Sequence, residues 1–437
     1  MRALLFDRPA MMSLSPRLRR LWKDLQEQLW FKPAWWGLLA TVVALMAAFA
    51  NRLIPEDLVP DIEQQTLQSL LTIIASSMLS VSTFSLSILV QAFSSAAGSA
   101  SPRALRVVMA DDNAQTAIAA FIAAFIYAVI ALMALGVGYY GPIGRFMLLV
   151  FTVLVMVNVI IMLIRWIRTL SRLGRMGYTI SRVEDAAHTA LQKYWRQPAL
   201  GGQLMPADTP VTGHPVQAKT TGHVQHVDMA ALDGLAESLN ARVQLWVRPG
   251  AFVHRGQTLL TLDGAKPDAE QADHLRAAVE IGADRSFDQD PRFGLIVLSE
   301  IGQRALSPAV NDPGTAINVA GAITRVLIDT WPSPADTDAP APEALSTRVF
   351  VLPIDEADFV RDAFAPLQRD AGGIMEAQLR FIKLLNNIAD TTGGALAKQA
   401  RHTAWQGWLH ARDQLTLEHD RQMLEAAARD VAGSAAA

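Results

Sequence analysis

The sequence predicts an α-helical membrane domain of four transmembrane helices, followed by a cytoplasmic α+β region. Three observations carry that prediction: long runs without charge, basic residues massed at particular ends of those runs, and a more polar second half of short strands and amphipathic helices. Of 437 residues, 51% are hydrophobic and 18% charged, with a mean hydropathy of +0.22; soluble domains carry about 25% charge. Cysteine is absent, which excludes disulfides, thiolate metal sites and cysteine nucleophiles. A net charge of -3 gives no pull toward nucleic acid, which is not an expected partner.

Taken in order, residues 1–33 form a basic arm with Arg2, Arg8, Arg17, Arg19, Arg20, Lys23 and Lys32. The membrane domain occupies 34–168, with spans at about 34–54, 67–97, 114–140 and 145–164, each near or above the ~20 residues a bilayer core requires. The first is too long for a cleavable signal core. Trp30, Trp35 and Trp36 mark its interface, Tyr139 and Tyr140 close the third span, and "RWIRTLSRLGR" follows the fourth. Lysine and arginine favour the cytoplasmic side. The arm, the loop with Arg103 and Arg106, and residues 165–182 are basic, whereas the first outer loop holds Glu56, Asp57, Asp61 and Glu63. A multi-pass protein of a bacterial inner membrane is expected, with both termini cytoplasmic.

The second span is unusual. Its uncharged stretch of about 39 residues would reach ~58 Å as a continuous helix, against a bilayer core of about 30 Å. It therefore either projects from the membrane or breaks near Gly98, after which Ser101-Pro102 reads as the cap and first turn of a short helix. Along it Ser69, Thr72, Ser76, Ser80, Thr83, Ser87, Gln91 and Ser94 step by three or four, which places them on one helical face. Two readings fit this stripe. Small hydroxyl residues let membrane helices approach and hydrogen-bond; alternatively, several copies around an axis would line a water-filled pore with uncharged donors and acceptors.

Beyond the membrane domain, 169–215 is expected to continue as a juxtamembrane helix and loop. Residues 216–264 read as a small β module interrupted by a helical insert at 228–240, with turns at Pro249-Gly250 and Arg255-Gly256. Its cadence resembles the barrel-sandwich of biotinyl and lipoyl carriers, but the insert stands where the carrier lysine would be and contains no lysine. Residues 265–330 form a helical segment with a "SPAVNDPG" loop. A proline-rich acidic linker at 331–345 precedes a strand and amphipathic C-terminal helices in 346–437, suited to a bundle or assembly surface.

Several stretches carry a family likeness: "SPRALRVVMADDNAQTAIAAFIAAFIYAV", "DQDPRFGLIVLSEIGQRALSPAVNDPGTAINV" and the β segment between them. On these the chain resembles the bacterial predicted membrane proteins grouped as domain of unknown function 2254. That resemblance implies a four-span inner-membrane protein with a cytoplasmic domain, and brings no activity or catalytic residues.

Candidate polar contacts in the second half are Asp288, Asp290, Arg292, Asn311 and Asp312, read as a ligand or subunit contact or as caps and salt bridges. Asp312 suits the cap of a helix opening at Pro313. The acidic spacing lacks the glycine and terminal glutamate of a calcium loop, and His214, His223 and His226 are too loosely spaced for zinc. No catalytic motif is present, so neither enzyme activity, a metal nor a cofactor is expected. The expected partners are membrane lipid, further copies of the chain in a homo-oligomer, and ions. The function is read as a homo-oligomeric channel with a cytoplasmic vestibule or gate, or as a membrane-anchored scaffold or ligand sensor with a closed bundle.

Overall fold

The computed structural model describes residues 31–46, 60, 62–99, 101–109, 112–172, 174–206, 208–332 and 346–432. Most of the basic arm, the end of the first span, the acidic residues 56, 57 and 61, and most of the 331–345 linker lie outside the described residues. The chain divides into two compact units, residues 1–98 with 108–175, and residues 99–107 with 176–437.

The first unit holds α1 (Phe31–Met46), α2 (Gln64–Ser99), α4 (Asp112–Gly136) and α5 (Pro142–Leu170), with the short α3 (Ala104–Met109) between α2 and α4 in sequence. Among the described residues three helical stretches are long and apolar enough to cross a membrane, Gln64–Ser95, Ala114–Gly136 and Pro142–Leu170. The stretch Pro33–Met46 is apolar but shorter. Alanines 117, 124, 128 and 131 of α4 are buried, and small residues of this kind let membrane helices pack closely. Gly37 of α1 does the same, since a Cβ there would meet the Ile126 side chain. Tyr140, at the end of the third span, is buried and donates to Ala44 O at 2.8 Å. Asn158 of α5 faces an apolar cavity of about 370 Å³ lined by α1, α4 and α5.

Helix α2 projects and then ends where the sequence expects, at Ser99, one residue past Gly98. It runs unbroken for 36 residues, ~54 Å at 1.5 Å per residue. The expected short helix then follows: the Ser101 carbonyl accepts from Ala104 N at 3.0 Å, and its hydroxyl accepts from Arg103 N at 3.3 Å. The expected continuation of the fourth span into a juxtamembrane helix fails. Helix α5 stops at Leu170, and α6 (Met176–Arg196) starts afresh after Gly174, whose φ of +79° is left-handed; that conformation ends a helix and suits glycine.

The second unit has a helical core and a β part. The core packs α6, α9 (Phe293–Leu306), α10 (Pro313–Asp329), α11 (Ala357–Ala371), α12 (Met375–Thr391), α13 (Gly394–Ala411) and α14 (Glu418–Ala432) around Phe359, Phe364, Phe381 and Leu298, and it takes in Ala104. The β part has two sheets. One has the order β1 (Gln203–Leu204), β8 (Val349–Val351), β4 (Arg242–Leu245), β6 (Thr258–Asp263), β2 (His214–Gln217); the other has β5 (Phe252–Val253), β3 (Gly222–Val227), β7 (Val279–Gly282). The insert forms α7 (Met229–Ser238), capped by Asp228 through Ala231 N, and α8 (Ala269–Ala277) precedes β7. Gly250 and Gly256 take φ of +93° and +88° at the two expected turns. The sheets also recruit strands from outside 216–264. β8 lies parallel between β1 and β4 with Val349 and Val351 fully buried, because a short strand with both valines apolar is satisfied only inside a sheet.

Candidate functional site

Helix α2 buries Leu67, Leu71, Ile74, Met78, Ser82, Ser85 and Leu89, and its large apolar members join the core of the first unit. Ser69, Thr72, Ser76, Ser80, Thr83, Ser87, Gln91 and Ser94 are exposed. At about 100° per residue the mean directions of these two sets differ by ~170°. The hydroxyl stripe therefore lies opposite the face with which α2 packs within its own chain. Ser77 lies beside the stripe, while Ser82 and Ser85 belong to the packing face.

Six hydroxyls on the stripe have a partner within their own helix. Ser69 donates to Gln65 O at 2.9 Å, Thr72 to Gln68 O at 2.7 Å, Ser76 to Thr72 O at 2.9 Å, Ser80 to Ser76 O at 3.0 Å, Thr83 to Leu79 O at 2.9 Å and Ser87 to Thr83 O at 3.0 Å. Such back-bonding satisfies the O–H while leaving oxygen lone pairs toward the exterior. Ile73, Leu79, Phe84, Leu86 and Val90 are exposed on either side of the stripe, so the outward face is a polar track with apolar margins.

The second set of candidate residues does not converge. Asp288, Asp290 and Arg292 precede α9, whereas Asn311 and Asp312 follow it. The 14 residues of that helix span ~21 Å at 1.5 Å per residue. Asn311 takes φ +51° in an exposed loop, and Asp312 caps α10, accepting from Thr315 N at 3.0 Å and Thr315 Oγ1 at 2.6 Å. These bonds hold the Asp312 carboxyl below its ordinary range.

At the other end of α9, three charges reach three different elements. Asp288 lies 3.4 Å from His226 of β3 and 3.9 Å from Lys193 of α6. Asp290 accepts from Arg285 Nε at 2.8 Å and from Arg292 N at 3.1 Å, against Gly250. Burial pushes its carboxyl up, and the Arg285 charge offsets that rise. Arg292 reaches Asp358 at 2.6 Å and Asp362 at 2.7 Å in the first turns of α11. Nearby, Arg248 donates to Pro198 O at 2.8 Å and to Leu352 O; burial lowers its pKa to about 10, and burial raises that of Tyr194 beneath it to about 12. These groups tie the β part to the helical core, each engaged with a charge or a carbonyl. His214 lies on β2, His223 and His226 on β3, and no cluster of three His, Asp or Glu side chains among the described residues is placed to hold a metal ion.

Sequence reading missed a different cluster. Ser101 donates to Glu300 at 2.9 Å, Arg103 pairs with Glu300, and Arg106 pairs with Asp284. The partners are 178 to 199 residues apart, so no local pattern announces them.

A helical membrane unit joined to a mixed α/β unit, with a polar track on its longest apolar helix, defines a polytopic membrane protein. The chain belongs to the family described as "Predicted membrane protein (DUF2254)", whose profile matches residues 26–387. An uncharacterized protein of Mycobacterium bovis and one of Mycobacterium tuberculosis are each 35% identical to it over 126 residues, 28% of this chain and 24% of theirs. The chain thus matches about a quarter of the length of these curated relatives. No solved structure matches.

Proposed function

We propose that this protein is a homo-oligomeric ion channel of a bacterial inner membrane. In this reading the α2 hydroxyl faces of several copies surround the pathway, and the second unit forms a cytoplasmic vestibule or gate. The observation that carries the reading is the opposition of the two faces of α2. Hydroxyls used for packing inside the chain would lie on the Leu67–Leu71–Met78 side, and these lie on the other. A hydroxyl track of this length, free of charge, is suited to water and partly hydrated ions.

The topology proposed with it has four spans, the first at about 34–54. Both termini are cytoplasmic, in keeping with the basic arm and the arginines after α5. The strands between Gly222 and Asp263, with the turns at Gly250 and Gly256, are read as a barrel-sandwich-like module for assembly or ligand contact.

A second reading is favoured by the back-bonding of the stripe. Hydroxyls already satisfied within the helix tolerate a dry contact between subunits, which would make the protein a membrane-anchored scaffold or ligand sensor with a closed bundle. Ion flux through reconstituted protein separates the two. The channel reading requires that Ser80→Leu or Ser87→Leu change flux in a correctly assembled protein, and flux indifferent to both would exclude it.

A further inference from the structure

The second unit contains a polar groove of about 700 Å³ whose rim begins with the residues that directly follow α2. Arg103 and Arg106 come from that segment, Arg285 from the loop after β7, and Phe293, Ile296 and Glu300 from α9. Three guanidinium groups thus share one concavity, with the His223 ring on its wall.

The three arginines are held differently. Arg285 is fixed from behind: Asp290, nearly inaccessible, takes two of its nitrogens at 2.8 and 2.7 Å, and its Cζ lies 5.1 Å over the Phe293 ring. Arg103 and Arg106 are in the opposite condition, with side chains 60% and 54% exposed, paired with Glu300 and Asp284 at the groove's edge. Exposed ion pairs add little net stability, so these two guanidiniums can be taken over by a competing anion at small cost. A phosphate group is the competitor best matched to them. Its oxygens accept the paired N–H groups of a guanidinium fork, and its charge exceeds that of one carboxylate.

We propose that this groove binds a phosphate group, borne by a soluble phosphorylated molecule or by an anionic lipid headgroup, through Arg103, Arg106 and Arg285. The volume suits a pyrophosphate or a glycerophosphate headgroup. Occupancy exchanges Glu300 and Asp284 for phosphate oxygens at two residues that lie within seven positions of the end of α2. The site stands whether or not α2 lines an ion pathway.

The test uses the full chain in nanodiscs. In phosphatidylcholine discs, titration calorimetry with pyrophosphate measures free phosphate; in discs containing phosphatidylglycerol, native mass spectrometry measures retained anionic lipid. Binding in either arm supports the site and identifies the source. Arg106→Gln, at an exposed position, weakens that binding at least tenfold, and Arg103→Gln with Arg106→Gln removes it. Asp284→Asn, which releases Arg106, tightens it several-fold, a gain that loss of structure does not produce. Lys219→Gln, at a cation outside the groove, leaves it unchanged. No binding in either arm, or equal binding by wild type and the double variant, overturns the proposal.

Discussion

Arg285 donates through Nε and a terminal nitrogen to a single oxygen of Asp290, at 2.8 and 2.7 Å, while the Asp290 side chain is only 2% exposed. The pair closes the loop between β7 and α9, and Asp290 lies against Gly250 of the β part. Removing one partner of a buried pair leaves the other charge uncompensated, at a cost of about 3–5 kcal/mol. Asp290→Ala is expected to lower the unfolding free energy of the full chain by that amount, followed by tryptophan fluorescence in denaturant. A change under about 1 kcal/mol would contradict the role given to this pair.

Gly250 presses on the same carboxylate. Its φ is +93°, and a Cβ there would fall on the Asp290 carboxylate. Gly250→Ala combines backbone strain with displacement of a buried anion, and a loss of about 2–4 kcal/mol is expected. Gly256→Ala, at φ +88° with open space around it, should show the strain alone, about 1 kcal/mol. Parallel thermal melts of the two variants check the difference.

The cap of α10 gives a pH-dependent test. Thr315 holds the Asp312 pKa below its ordinary value. A depressed folded-state pKa contributes stability that is complete above the unfolded value, about 3.9, and lost as pH falls through the folded value. Asp312→Ala should therefore cost about 1 kcal/mol at neutral pH, and the gap from wild type should close below about pH 4. Denaturant unfolding at a series of pH values measures this directly.

Two serines in α2 separate its faces. Ser85 is fully buried, so Ser85→Leu overpacks the first unit and is expected to cost about 1–3 kcal/mol. Ser80 is exposed, so Ser80→Leu should stay within about 0.5 kcal/mol of wild type in the isolated subunit. A thermal-shift comparison in detergent checks the pair, and equal losses would mean that the stripe is part of the chain's own core.

Periodicity carried much of the reading of α2, because eight polar residues at helical spacing leave a direct trace in sequence. The Asp312 cap and the turns at Gly250 and Gly256 were legible for the same reason: their chemistry is local. Contacts set by tertiary structure were not. Asp290 and Asp312 are 22 positions apart and were grouped as one site, yet a helix stands between them. β8 finds its place between β1 and β4 across a hundred residues of intervening chain. Glu300 meets Ser101 and Arg103 only because α9 and the segment after α2 share the second unit. The break at Gly174 was readable in principle from the glycine, whose left-handed φ of +79° suits a helix end.

The number of subunits in a lipid nanodisc, measured by native mass or single-particle imaging, tests the central claim most directly. A ring of three or more copies with the Ser76–Ser87 faces toward its axis is what the channel account predicts. A monomer or dimer would contradict it, since one such helix per chain cannot then enclose a water-filled path.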